Sequence, residues 1–79
     1  MPWIESDNAL HLNLSTRDFA QALGLVNRIG EAAEAAHHHP DIEFGWGYLR
    51  IHLTSHDQKR VTERDRALAA RIDEILAGP

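Results

Sequence analysis

Two tracts of strict alternation constrain the fold of this chain more than any other feature. Leu10, Leu12 and Leu14 alternate with His11 and Asn13, and Leu49, Ile51 and Leu53 alternate with Tyr48, Arg50, His52 and Thr54. Period two marks strands with one apolar face. One-sided strands belong to antiparallel sheets whose other face meets water. The apolar face needs a cover, and two amphipathic helical stretches supply it. The first is predicted to open after Ser15 as N-cap, with Asp18 completing a capping box and Leu14 and Phe19 forming a hydrophobic staple. Its stripe is Phe19, Leu23, Val26, Ile29, Ala33 and Ala36, and Pro40 stops it. The second begins at the Thr62–Asp65 capping box, carries Leu68, Ala69, Ile72, Ile75 and Leu76 on one face, and stops at Gly78-Pro79. Between them Ile42 to Trp46 alternates, and Gly45 and Gly47 bracket a turn into the strand Tyr48 to Ser55, which reads as a hairpin. The expected order is β-α-β-β-α, an α+β fold with an antiparallel sheet and both helices packed on one face.

Length sets the scale. Seventy-nine residues make one small domain, here taken as residues 1–79. Of its 43% hydrophobic residues, eleven are alanine, so large core side chains are scarce. A chain this short buries only about 60% of its unfolded surface. A thin core and an uncovered sheet edge point to a homodimer, with a homotetramer as the larger assembly. Eight Lys+Arg against 12 Asp+Glu give a net charge of −4, which speaks against a nucleic-acid binder with a basic face. The absence of cysteine removes disulfides, Cys-ligated zinc and thiol catalysis. No apolar run approaches the ~20 residues of a membrane span. Met1 to Glu5 shows no secretory pattern, so the expected location is cytoplasmic, away from membranes.

Six histidines in so short a chain, three of them consecutive at His37-His38-His39, require an account. His38 and His39 fall where a helix ends and the chain turns at Pro40. His56 follows directly on a strand. Such ends are where side chains distant in sequence converge. Imidazole titrates near neutrality and can both give and take protons. Two or three imidazoles in a cleft suit proton transfer on a neutral heterocycle, with neither metal nor nucleophile. Each histidine also has a plainer role as a helix-end partner or a solvated side chain. Adjacent histidines rarely aim at one ion, and no carboxylate completes a ligand spacing, so no metal is expected. His11 and His52 lie on polar strand faces and read as surface residues. Asp65 is the N3 partner of the Thr62 cap. Glu34 is placed to meet His38 at i, i+4. Trp46 beside glycines fills volume.

Spacing adds what chemistry alone leaves open. Glu34-x-x-x-His38-His39-Pro40 is followed after five residues by Trp46, after nine more by His56 and after eight more by Asp65. This pattern resembles the pterin-4a-carbinolamine dehydratase family at every fixed position. Thr62 to Asp65 with Leu68-Ala69 and Ile72-Asp73 is similar to that family's closing helix, and Asp18-Phe19, Ala22, Gly24 and Arg28 to its first. The resemblance runs from about Asn8 to Leu76. It implies dehydration of 4a-hydroxytetrahydropterin to the quinonoid dihydropterin, with the pterin as substrate and no cofactor. His38, His39 and His56 would form the acid–base cluster, with the acid and the base unassigned among them. His37, Thr54, Ser55 and Asp57 would line the pterin site. Glu34 would orient His38, Asp65 would serve the fold or orient His56, and Trp46 would stand behind the site.

Three departures from the family pattern follow. A helix common before the first strand is absent, with the Trp3 region in its place. Arg60 stands where glycine is common, so the loop before the last helix is expected to turn without a residue free to take positive φ. His37 replaces a carboxylate. The same fold also resembles non-catalytic proteins that serve as dimerisation cofactors of transcription factors or as assembly chaperones. A scaffold role is therefore the alternative function, and the intact histidine set weighs toward the enzyme.

Overall fold

A computed structural model describes residues 3–78. Met1, Pro2 and Pro79 lie outside it, and with them part of the N-terminal lead and the proline of the expected stop. Six elements follow in order: β1 (Ile4–Ser6), β2 (Ala9–Ser15), α1 (Phe19–Ala36), β3 (Asp41–Gly45), β4 (Tyr48–Leu53) and α2 (Glu63–Leu76). The strands form one antiparallel sheet in the order β1-β2-β4-β3. The α+β architecture is the expected one, with one strand more than the β-α-β-β-α order. β1 escaped the sequence reading because it is three residues long and exposed throughout, so it carries no alternating burial. Its existence depends on β2, against which Ile4 pairs with His11 and Ser6 with Ala9. Asp7 and Asn8 join them with φ of 50° and 62°. Two successive positive φ angles make the tight hairpin turn that matches strand twist, and Asp and Asn tolerate it.

The alternating tracts face one another as their pattern requires. Leu10 pairs with Leu53, Leu12 with Ile51 and Leu14 with Leu49. All but Leu14 of these are buried, and they meet Ile29 and Ala33 of α1 and Leu68, Ala69, Ile72 and Ile75 of α2 in a single core. Trp3 packs against its edge, and its indole N–H donates to Asp73 Oδ1 at 2.9 Å. At the far end of the helix pair, the Arg28 guanidinium donates to the Ile75 carbonyl and ties α1 to α2. No helix among the described residues is long and apolar enough to cross a membrane.

The first helix starts later than expected. Ser15 still pairs with Tyr48, and Thr16 N–H donates to the Gly47 carbonyl at 2.9 Å, so the chain stays extended. The N-cap is Asp18, whose Oδ1 accepts from Gln21 N–H at 2.8 Å, while Gln21 Oε1 accepts from Arg17 N–H at 2.6 Å. The cap is thus moved three residues along, and Gln21 bonds the residue before the cap rather than closing a full capping box. The buried stripe turns with it, to Ala22, Ile29 and Ala33, with Leu25, Val26 and Ala32 half-covered. Phe19 and Leu23 are exposed instead, and Phe19 sits against Phe44 at 5.5 Å between ring centres rather than stapling to Leu14.

Candidate active site

α1 ends on His37, which takes the left-handed conformation (φ 52°) and turns its N–H back to the Ala33 and Glu34 carbonyls. That turn reverses the chain and drives the next side chain, His38, into the protein. His38 is buried, and its Nε2–H donates to Asp65 Oδ1 at 2.5 Å. Asp65 sits at the N3 position of α2 with no solvent exposure. Its Oδ2 accepts from Ser55 Oγ at 2.8 Å and from Thr62 N–H at 2.9 Å. Ser55 Oγ and Thr62 Oγ1 are themselves hydrogen-bonded at 2.7 Å. One carboxylate therefore ties the end of α1, the exit of β4 and the start of α2 together. Burial by itself pushes the Asp65 carboxyl up. The bonds from His38, Thr62 N–H and Ser55, with the charge of His38, outweigh it and hold the carboxyl below the usual range. Ser55 donates to the carboxylate and not to an imidazole. The Ser55, His38 and Asp65 set is thus no nucleophilic triad, because no base faces the hydroxyl.

More accessible groups leave the sheet at one end. β3 and β4 pair from Gly45↔Tyr48 to Asp41↔His52, so His39-Pro40 and Thr54-Ser55 leave the ladder at the same end. His39 is exposed, and its Nε2–H donates to Glu34 Oε2. His56 is exposed at the head of the turn that Ser55 and Arg60 close by their bridge. Asp57 beside it accepts from Arg64 at 2.6 Å; that bond leads the causes that lower its carboxyl. Thr54 Oγ1 donates to the Asn8 carbonyl at 2.7 Å.

Two orientations differ from those read in the sequence. Glu34 holds His39 rather than His38, because the His37 turn rotates His38 away from the helix face that Glu34 occupies. Asp65 holds His38 rather than His56, because His38 points inward and His56 outward. The loop before α2 does contain a positive-φ residue, Lys59 at 56°, while Arg60 pairs back to Ser55. Trp46 is not brought to the histidines. It is 74% exposed in the β3–β4 turn, a full strand of five residues, roughly 17 Å, from His39. Its neighbour Gly47 supplies the positive φ (87°) that this turn needs. Arg64 escaped the sequence reading. Its place one residue before Asp65 on a capped helix was visible, but its partner Asp57 was not.

A groove of about 240 Å³ between α1 and α2 ends on His38 and is lined in part by Ala36, Arg64 and Leu68. The geometry as a whole sets three histidines at one end of an α+β domain: one ring fixed inside, two offered to solvent, and carboxylates on His38 and His39.

Comparison with known proteins gives that domain its family. The family described as pterin 4 alpha carbinolamine dehydratase matches residues 1–75. A Koribacter versatilis relative, provisionally named pterin-4-alpha-carbinolamine dehydratase, is 41% identical over 73 residues, 92% of this chain and 78% of that protein. A Chloroflexus aggregans relative with the same provisional name is 44% identical over the same shares. The chain belongs to the pterin 4 alpha carbinolamine dehydratase family. Among solved structures, a Brucella melitensis protein described as a transcriptional coactivator/pterin dehydratase superposes with a TM-score of 0.86 at 27% identity, covering 92% of this chain and 80% of that one. A pterin dehydratase-like protein described as a RuBisCO assembly factor in the alpha-carboxysome shares the fold, with a TM-score of 0.77 at 24% identity over 99% of this chain and 90% of its own.

Proposed function

We propose that this chain dehydrates 4a-hydroxytetrahydropterin to the quinonoid dihydropterin by histidine acid–base catalysis, within tetrahydrobiopterin recycling. The observation that carries the reading is the pairing of a fixed His38 with two exposed imidazoles, His39 and His56, at one end of the sheet. In the reaction an imidazolium gives its proton to the departing 4a-hydroxyl, which leaves as water. A neutral imidazole takes the proton from N5, and the C4a–N5 bond becomes double. Protons balance, and no redox partner enters. His38, His39 and His56 form the catalytic cluster, with His38 the least accessible. His37, Thr54, Ser55 and Asp57 line the pterin's amide and amino edge. The Thr54 and Ser55 hydroxyls are already engaged, so these two contribute backbone groups. The working unit in this reading is a cytoplasmic homodimer or homotetramer of the single domain 1–79, joined through the open sheet edges at β1 and β3 or through the helices.

The test is the dehydration rate of freshly generated 4a-hydroxytetrahydropterin, followed by absorbance. His39→Gln and His56→Gln are the variants of choice, because His38→Ala also opens the buried knot. A wild-type rate above the spontaneous background that falls in both variants is expected. A folded wild type with no acceleration sinks the reading. It would favour the scaffold role, which the coactivator description of the Brucella melitensis neighbour supports.

A further inference from the structure

His11 and His52 are not independent surface residues. They are register partners on the two central strands, and they lie on the open face of the sheet. Their Nδ1 atoms stand 2.8 Å apart, with the rings edge to face at 5.0 Å between centres. The opposite nitrogens are both committed. His11 Nε2 lies 3.1 Å from the Ser6 carbonyl and His52 Nε2 lies 3.0 Å from Glu43 Oε1. A carbonyl and a carboxylate only accept, so each Nε2 carries a hydrogen. In the neutral rings both Nδ1 atoms then present lone pairs to one shared point. Two lone pairs at 2.8 Å repel unless a cation lies between them, and that cation is a proton or a metal ion.

The surroundings match a metal chelate. Ligating imidazoles characteristically donate their second N–H to a carboxylate or a backbone carbonyl, which fixes the tautomer and raises ligand basicity. Here one ring has each kind of partner. With metal–nitrogen bonds of about 2.0–2.1 Å, a 2.8 Å separation subtends an N–M–N angle of roughly 85–90°. That is the cis angle of tetragonal copper(II) or nickel(II), whereas tetrahedral zinc needs the nitrogens nearer about 3.3 Å apart. The field is favourable as well. β3 places Asp41 in register with His52 and adds Glu43, while the Arg50 guanidinium on β4 lies 5.0 Å from the Tyr48 ring centre. No cluster of three or more such ligands occurs among the described residues, so water fills the remaining positions.

We infer that His11 and His52 form a two-imidazole chelate for a tetragonal divalent cation of the copper(II) or nickel(II) class, clipping β2 to β4 on the open face. The site shares no residue with the His38 centre.

The test is titration of the full chain with copper(II) chloride, read by electron paramagnetic resonance and by thermal unfolding. One copper per chain with a two-nitrogen splitting pattern and a rise in Tm is expected. His11→Gln and His52→Gln lose both signals and keep the wild-type dehydration rate. Glu43→Gln keeps both imidazoles and weakens binding about 10–100-fold. His39→Gln and His56→Gln bind as wild type does. Loss of binding in those two with retention in His11→Gln overturns the inference. So does a chain that takes up no copper, which leaves the pair sharing a proton.

Discussion

His38 and His39 are neighbours in sequence and opposites in environment. His38 is buried and held by a carboxylate that also caps a helix and binds a serine. His39 is exposed, with a carboxylate that itself stands in water. The same pair of groups, imidazole and carboxylate, therefore does two jobs. Inside, it couples chain segments, and breaking it leaves an uncompensated polar group. Outside, solvent screens it, and it holds little beyond a side-chain direction. The left-handed turn at His37, just before both, sends His38 inward.

The comparison breaks first at Asp65. Asp65→Ala removes the acceptor of His38, Ser55 and the Thr62 N–H together. Losing one partner of a buried pair costs about 3–5 kcal/mol. A domain of this length holds only roughly 4–12 kcal/mol in all. Urea denaturation should show a loss of about 3–5 kcal/mol, a large share of the total, and a loss under about 1 kcal/mol would mean the knot is not structural. In contrast, His39→Gln and His56→Gln should stay within about 0.5 kcal/mol of the wild type while losing roughly 10²–10⁴-fold in dehydration rate. Stability lost without rate, or rate retained, would reverse the roles given to inside and outside.

Acid sharpens the same contrast. The Asp65 carboxyl is held below its unfolded value, so its contribution is fully present above about pH 4 and is lost as the pH falls through the lowered folded value. Stability should be level from neutrality down to that point and then drop. Asp65→Asn, which keeps an acceptor for His38, should be less stable at pH 7 and show a flatter acid limb. Asp57 is lowered too, but it is exposed, so Asp57→Asn should leave the acid limb unchanged. An acid limb that moves with Asp57 and not with Asp65 would contradict the burial argument.

How much of this could be read from residues alone depends on the range of the cause. The α2 box was legible because Thr62 and Asp65 are three residues apart and set each other's bonds. The one-sided strands were legible because alternation is local. The α1 start was misplaced because Ser15 is claimed by Tyr48, a partner 33 positions away that no local pattern reveals. β1 was missed for the same reason. The His11–His52 pair needed the strand register itself. In the site, the intervals singled out His38, His39, His56 and Asp65, and the structure joins His38 to Asp65. Which carboxylate holds which imidazole depended on the rotation imposed at His37, a backbone angle with no sequence signature when the residue is neither glycine nor asparagine.

Glu34 tests whether an exposed pair does more than point. Its ion pair with His39 is solvated on both sides, so Glu34→Gln should change stability by less than about 0.5 kcal/mol. If the carboxylate orients the His39 ring for proton transfer, kcat falls several-fold with KM unchanged. A KM effect alone would place Glu34 against the substrate instead.

A gain in stability is expected at His37, the turn just before the two histidines. A left-handed conformation costs an ordinary residue about 1–2 kcal/mol, and His37 bears that cost to make the turn. Glycine removes it but loses more freedom on folding, about 0.5–1 kcal/mol. His37→Gly should therefore gain about 0.5–1 kcal/mol in urea denaturation, since the N–H bonds to Ala33 and Glu34 belong to the backbone and survive. The rate separates the two halves of the residue. The backbone turn that aims His38 inward is kept, so kcat should hold, and if the exposed imidazole contacts the pterin as proposed, its loss should raise KM several-fold. A fall in stability would show that the His37 ring, and not only its backbone, holds the chain reversal in place.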